Sequence, residues 1–141
     1  MMATRKRTRV EVAPSDRLAR EIQAVLSDGL IKPEYQVDRS GRAGYDGHCY
    51  HAAEAYRYLS PRGHALTVMN RKDEEHSHWW LVDERGRVID LTYGPDDKRS
   101  RYQYQLGRAR TFLKGKGRDG LSWRAEEVVE RVERARGRRR R

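Results

Sequence analysis

Apolar residues first recur at a helical interval between residues 15 and 28, where Leu18, Ile22, Val25 and Leu26 share one face. Ser15 is placed to cap this helix, and Gly29 with Pro33 to end it. Residues 34–47 hold three glycines and no period, and read as a loop. A second helix is predicted over 48–59, with Asp46 as its N-cap and Ala52, Ala53 and Ala55 allowing close packing; Pro61 and Gly63 close it. Three strand-like runs follow at 64–69, 77–83 and 87–92, and Gly94-Pro95-Asp96-Asp97 breaks the sheet they would form. Residues 98–120 are basic and without a clear period, with Tyr102, Tyr104, Leu106, Phe112 and Leu113 expected as anchors. Ser122 then caps a last helix with a stripe of Ala125, Val128, Val129 and Val132. This order predicts an α+β domain with a small antiparallel sheet.

A chain of 141 residues accommodates one core. Its formal net charge of +10 is unevenly placed. Nine of the 31 bases lie in residues 1–10 and 136–141, which hold no acids, leaving 22 bases against 21 acids between them. The reading is therefore a basic disordered arm over 1–12, one domain over 13–135 and a basic disordered tail over 136–141. Such ends suit salt-sensitive attraction to nucleic acid or another polyanion. Leu, Ile, Val and Phe are only 24 residues, so eight tyrosines and three tryptophans must supply much of a modest core. No apolar run approaches the roughly 20 residues of a membrane span, and the basic start lacks a secretory apolar stretch. A lone cysteine forms no internal disulfide, and a cytoplasmic protein is expected.

That cysteine, Cys49, falls in the first turn of the second predicted helix, just after Asp46-Gly47-His48. Unpaired N–H groups and the helix dipole favour a thiolate there, and a first-turn N–H can donate to an oxyanion. The strand register brings two more groups into play. If Glu84-Arg85-Gly86 is a three-residue loop with Gly86 left-handed, Asp83 pairs with Arg87, Val82 faces Val88, Trp80 faces Asp90 and His78 faces Thr92. His78, Trp80, Asp90 and Thr92 then share one sheet face, with His78 and Asp90 diagonal neighbours. A two-residue loop at Arg85-Gly86 would turn Asp90 to the opposite face. His76 is the reserve base and Asp83 the reserve carboxylate, the latter at the hairpin tip.

Gly-His-Cys-Tyr-His-Ala-Ala-Glu-Ala at 47–55, Ser-His-Trp-Trp-Leu-Val-Asp at 77–83 and Val-Ile-Asp-Leu-Thr at 88–92 together resemble the papain-like superfamily, most closely its transglutaminase-like branch. With Gly-x-x-x-x-Phe-Leu at 107–113 and the final helix, they are also similar to a group of uncharacterised phage and bacterial proteins. The resemblance implies a papain-like α+β fold, with a nucleophile helix on a small antiparallel sheet and additional N- and C-terminal helices. It implies a cysteine-dependent acyl-transfer enzyme, either an amide or peptide hydrolase or a transglutaminase-like transferase. Cys49 would be the nucleophile, His78 the base and Asp90 the orienting carboxylate. The substrate would be an amide, in a peptide, protein or small molecule, and no cofactor is implied. The chain is shorter than typical members of the superfamily, and Gln36 is the candidate side-chain donor to the oxyanion.

Two rival readings use the same residues. His48, Cys49, His51, His76 and His78 include zinc-type ligands, but Cys49 and His51 lie two apart on a helix, roughly 200° around its axis. The Cys-x-x-Cys pair of zinc deaminases is missing, and no metal site is expected. The alternative function is a non-catalytic nucleic-acid- or polyanion-binding protein. Residues 98–118, where eight bases interleave with Tyr102, Tyr104 and Phe112, would act there with the basic ends.

Overall fold

The computed structural model describes residues 10–27, 48–72, 77–92 and 104–139. Helices α1 (Arg17–Val25), α2 (Cys49–Leu59) and α3 (Trp123–Arg139) accompany one sheet of β1 (Thr67–Lys72), β2 (Ser77–Val82), β3 (Val88–Ile89) and β4 (Arg108–Arg110). The strands lie in the order β3-β2-β1-β4, and every pair is antiparallel. The fold is thus α+β. No described helix is long and apolar enough to cross a membrane.

The main core fills the space between the helices and one sheet face. Ala19 and Ile22 of α1, Ala52, Ala53, Ala55 and Tyr56 of α2, and Ala125, Val128, Val129 and Val132 of α3 meet Val68 and Leu81 of the sheet. The alanines make α2 slim, and all three are almost completely buried. Each fully buried valine of α3 contributes roughly 1.5–3 kcal/mol through apolar area removed from water. Polar side chains join the helices at their ends. Asp16 caps α1 by accepting from Ala19 N at 2.8 Å, and its other oxygen accepts from Tyr56 Oη of α2 at 2.6 Å. Ser122 Oγ accepts from Ala125 N at 3.2 Å and donates to Glu54 of α2 at 2.7 Å, so the start of α3 is fixed to the middle of α2.

Alternation along β2 places Leu81 in this core and Trp80 on the other face. There Trp80 forms a second cluster with Val88 and Tyr104, against which Val10, Val12, Met69 and Val82 pack. Gly107 makes the cluster possible. A Cβ there would fall 2.3 Å from the ring of Trp80, which is 1% exposed and has no room to withdraw. Gly107→Ala is expected to destabilise the fold by about 1–3 kcal/mol through overpacking, read as a lowered urea midpoint.

Several boundaries differ from the sequence reading. Helix α1 is capped by Asp16 rather than Ser15, because the carboxylate also reaches Tyr56. The run 64–69 begins as a 3-10 turn at Gly63–Ala65, and β1 continues to Lys72. Strand β3 is shorter than 87–92. Strand β4 was not anticipated: its three residues are exposed, so no apolar alternation marks an edge held by backbone pairing to β1. In the same segment Tyr104 is buried and Phe112 half-buried, but the expected anchors Leu106 and Leu113 are 46% and 78% exposed. Tyr102 lies outside the described residues.

Described residues at both ends make contacts with the domain. Val12 forms a parallel bridge to Val88, with Ala13 N donating to Val88 O at 2.7 Å, so ordered chain begins before residue 13. Helix α3 runs to Arg139, through the start of the tail placed at 136. Arg136 makes two 2.9 Å bonds to the buried carboxylate of Glu21, and cations at a helix C-terminus oppose the negative end of its dipole. Residues 1–9 and 140–141 lie outside the described residues, as do the 34–47 loop and the Asp46 cap.

Candidate active site

Helix α2 begins at Cys49, with His48 as its N-cap residue. The first turn bond is Ala52 N to His48 O at 2.9 Å, so the N–H groups of Cys49, Tyr50 and His51 precede the helical ladder. Tyr50 points to the core side, edge-on to Trp79 and Phe112 at 4.8 and 5.2 Å between ring centres. That cluster docks the start of the helix beside the start of β2. Cys49 is partly exposed, and its Sγ stands 3.6 Å from Ser77 O, which accepts from the thiol form.

The β2–β3 hairpin has the longer loop. Gly86 is left-handed at φ 79°, Gly86 N donates to Asp83 O at 3.0 Å, Asp83 N donates to Arg87 O at 2.9 Å, and Val82 pairs with Val88. Asp83 is committed to this turn rather than to the site. Its Oδ1 accepts from Arg85 N and Arg87 N, both at 2.9 Å, and its Oδ2 from Arg87 Nε at 3.0 Å. The ladder ends at Ile89, so the Ser77–His78 end of β2 extends beyond its β3 pairing. Helix α2 meets the strand at this end.

The register brings His78 and Asp90 together. His78 Nε2 lies 2.6 Å from Asp90 Oδ2, and their side chains are 5% and 0% exposed. Asp90 Oδ1 accepts from Thr92 N at 2.9 Å and Thr92 Oγ1 at 3.1 Å, while Oδ2 also accepts from Tyr104 Oη at 2.6 Å. Burial pushes this carboxyl upward, but the donors from His78, Tyr104 and Thr92 outweigh it and hold the group below its ordinary value. Burial likewise disfavours a charged His78. The hydrogen bonds and charges of Asp90 and Cys49 prevail, and raise the imidazole to about 10. Nε2 is thus the ring nitrogen on the Asp90 side, and the Cys49 sulfur is close enough to act on the same imidazole. Trp80 stacks beside His78 at 5.6 Å between ring centres and shields that side from water.

Asn70 was not singled out from the sequence. Buried on β1, it donates to Ser77 Oγ at 2.9 Å and to His78 O at 3.0 Å, and so clamps the backbone between the sulfur and the imidazole. A polar residue at an inward position of a strand was its one signal. Tyr104, an expected anchor, also donates from its hydroxyl to Asp90. Gln36 and the reserve base His76 lie outside the described residues.

The other histidines of α2 are turned into the protein. His48 Nδ1 and His51 Nε2 are 2.7 Å apart and both residues are buried. Burial, the neighbouring His48 and the charge of Arg124 lower His51 to about 3, so it is neutral at ordinary pH. Among the described residues, no three His, Cys, Asp or Glu side chains converge as a metal-binding group. In the basic segment, Arg118 is engaged by Glu133 and Tyr58, and Arg108 and Arg110 are exposed on β4. Comparison with protein-family models, curated proteins and solved structures finds no match to this chain.

Proposed function

We propose that this chain is a papain-like, transglutaminase-like cysteine enzyme that transfers the acyl group of an amide, with Cys49 as nucleophile, His78 as acid and base and Asp90 as the orienting carboxylate. The observation that carries the proposal is the buried 2.6 Å bond between His78 Nε2 and Asp90 Oδ2, on an imidazole whose proton affinity is also raised by the Cys49 sulfur at a helix start. A carboxylate that fixes one ring nitrogen sets the tautomer and aims the other at the nucleophile.

The reacting form has a thiolate at Cys49 beside an imidazolium at His78. The sulfur forms a bond to the amide carbonyl carbon, and the carbonyl π pair moves to oxygen. The N–H of Cys49, ahead of the helical ladder, receives that oxyanion. The oxyanion collapses, the C–N bond breaks, and His78 Nδ1 gives its proton to the departing amine. The neutral imidazole then takes a proton from water or from an acceptor amine as it attacks the thioester. Collapse of this second adduct expels the thiolate and yields an acid or a new amide. Asp90 stays ionised throughout because four donors surround it.

The first test needs no substrate. At pH 6, iodoacetamide is expected to alkylate Cys49 of the folded protein at least about 10 times faster than a cysteine in a short peptide, since a helix start and a neighbouring imidazolium favour a nucleophilic sulfur. Mass spectrometry of the modified protein reads the rate, and Cys49→Ala is the blank. Alkylation that occurs only after denaturation would sink the enzyme reading.

A further inference from the structure

We propose that Tyr104 is a positioning residue of this site, which shares the negative charge of Asp90 and so sets how much of the His78 positive charge is left for the Cys49 sulfur; this rests on the enzyme reading above. The geometry is specific. Tyr104 Oη and His78 Nε2 both lie 2.6 Å from the same oxygen, Asp90 Oδ2, while Thr92 N and Oγ1 donate to Oδ1. A carboxylate offers about four lone-pair sites, and these four donors account for them. Tyr104 is the only one of the four that comes from outside the β2–β3 hairpin and its exit. It reaches Asp90 across a gap in sequence of 14 residues, from a turn closed by Gly107 N donating to Tyr104 O at 3.3 Å.

The placement is secured through the tryptophan. The Tyr104 ring meets Trp80 edge-on at 5.1 Å between ring centres, and Trp80 stacks on His78 at 5.6 Å. Gly107 lets the turn approach that ring. Tyrosine and imidazole thus both pack on one indole, with their polar atoms meeting on one oxygen. A buried tyrosine hydroxyl needs some hydrogen-bond partner. Here the partner is the carboxylate that orients the imidazole.

The sign of the effect follows from charge sharing. Without the phenol donor, Oδ2 carries more negative charge, binds the imidazolium more strongly and neutralises more of it. The sulfur then has a weaker cationic neighbour, and its reaction with an alkylating agent falls off at a higher pH. A more acidic phenol acts in the opposite direction.

The test is the pH dependence of Cys49 alkylation by iodoacetamide in the full chain, for the native protein, for Tyr104→Phe and for the protein with 3-fluorotyrosine placed at position 104. The acid limb of the profile is expected to move up by about 0.5–1 pH unit in Tyr104→Phe and down by a few tenths of a unit with the fluorinated ring. Met69→Ala, which trims the same apolar cluster and removes none of the four donors to Asp90, should lower the urea midpoint and leave the limb in place. If Tyr104→Phe does not fold, the fluorinated protein against the native one decides the question. Superimposable limbs in all folded forms, with a native Cys49 that reacts rapidly, overturn the role of Tyr104 and leave the enzyme reading intact. A native Cys49 inert until denatured removes the enzyme reading and this inference with it.

Discussion

Asp90→Asn is expected to slow alkylation of Cys49 at pH 6 by about 100-fold and to lower turnover of any amide substrate by about 10³–10⁴-fold. The substitution keeps the shape and one carbonyl oxygen, so Thr92 can still donate. It removes the charge opposite His78 Nε2 and offers that nitrogen either an uncharged acceptor or an N–H. Two effects then act together on the imidazole. The attraction that raises it to about 10 is lost, and the burial that opposes its charged form remains. The ring becomes neutral near pH 6, and the sulfur loses its cationic partner. The tautomer is also released, because an amide can meet Nε2 in either sense. Removing one partner of a buried charged pair is expected to lower stability as well. The rate must therefore be measured on protein shown to be folded by near-ultraviolet circular dichroism. An unchanged alkylation rate in folded Asp90→Asn would show that His78 does not act on Cys49 through this carboxylate.

The second expectation concerns acid stability and the buried histidine pair of α2. His51 has an ordinary value of 6.5 in the unfolded chain and about 3 in the folded one. Below pH 6.5 the unfolded chain therefore binds a proton that the folded chain does not. The folded state loses stability as the pH falls through this window, and the loss ends near pH 3. One proton corresponds to about 1.4 kcal/mol per pH unit once the unfolded group is charged. The native protein should lose about 2 kcal/mol or somewhat less between pH 6.5 and 5 from this group. Buried carboxylates such as Asp90 add a loss of the same sign only further down, near their unfolded values of about 4. His51→Gln keeps a polar partner for His48 but cannot titrate. Urea unfolding at pH 6.5, 5.5 and 5 should therefore give a flatter dependence for the variant by nearly one proton. Parallel curves would show that His51 is not held neutral in the fold.

How much of this could be read in the chain varies element by element. The stripe Ala125, Val128, Val129 and Val132 predicts the buried face of α3, because packing of one helix face is a local periodic property. The alanines of α2 and the apolar residues of α1 are legible for the same reason. The β2–β3 register was derivable because Gly86 sits where a three-residue loop needs a left-handed residue, and one turn then decides every pairing above it. Short, polar or terminal pieces were not legible. Strand β4 has the sequence Arg-Ala-Arg and exists through backbone bonds to β1, which composition does not encode. Arg136 looked like part of a free tail, but the carboxylate that receives it, Glu21, is 115 positions away.

For the site, the chain alone determines which groups are available: one cysteine at a helix start, one His-Trp-Trp strand, and one aspartate an even number of positions along the neighbouring strand. Alternation of side chains sets His78 and Asp90 on one face once the left-handed Gly86 fixes the three-residue loop and its register. Long-range packing decides the rest. It brings the start of α2 against Ser77, turns Tyr104 onto the Asp90 oxygen, places Asn70 under the backbone of His78 and closes His48 on His51. Each of these contacts depends on the relative placement of separate elements, which is determined by the shared burial of their apolar faces and leaves no local mark in sequence.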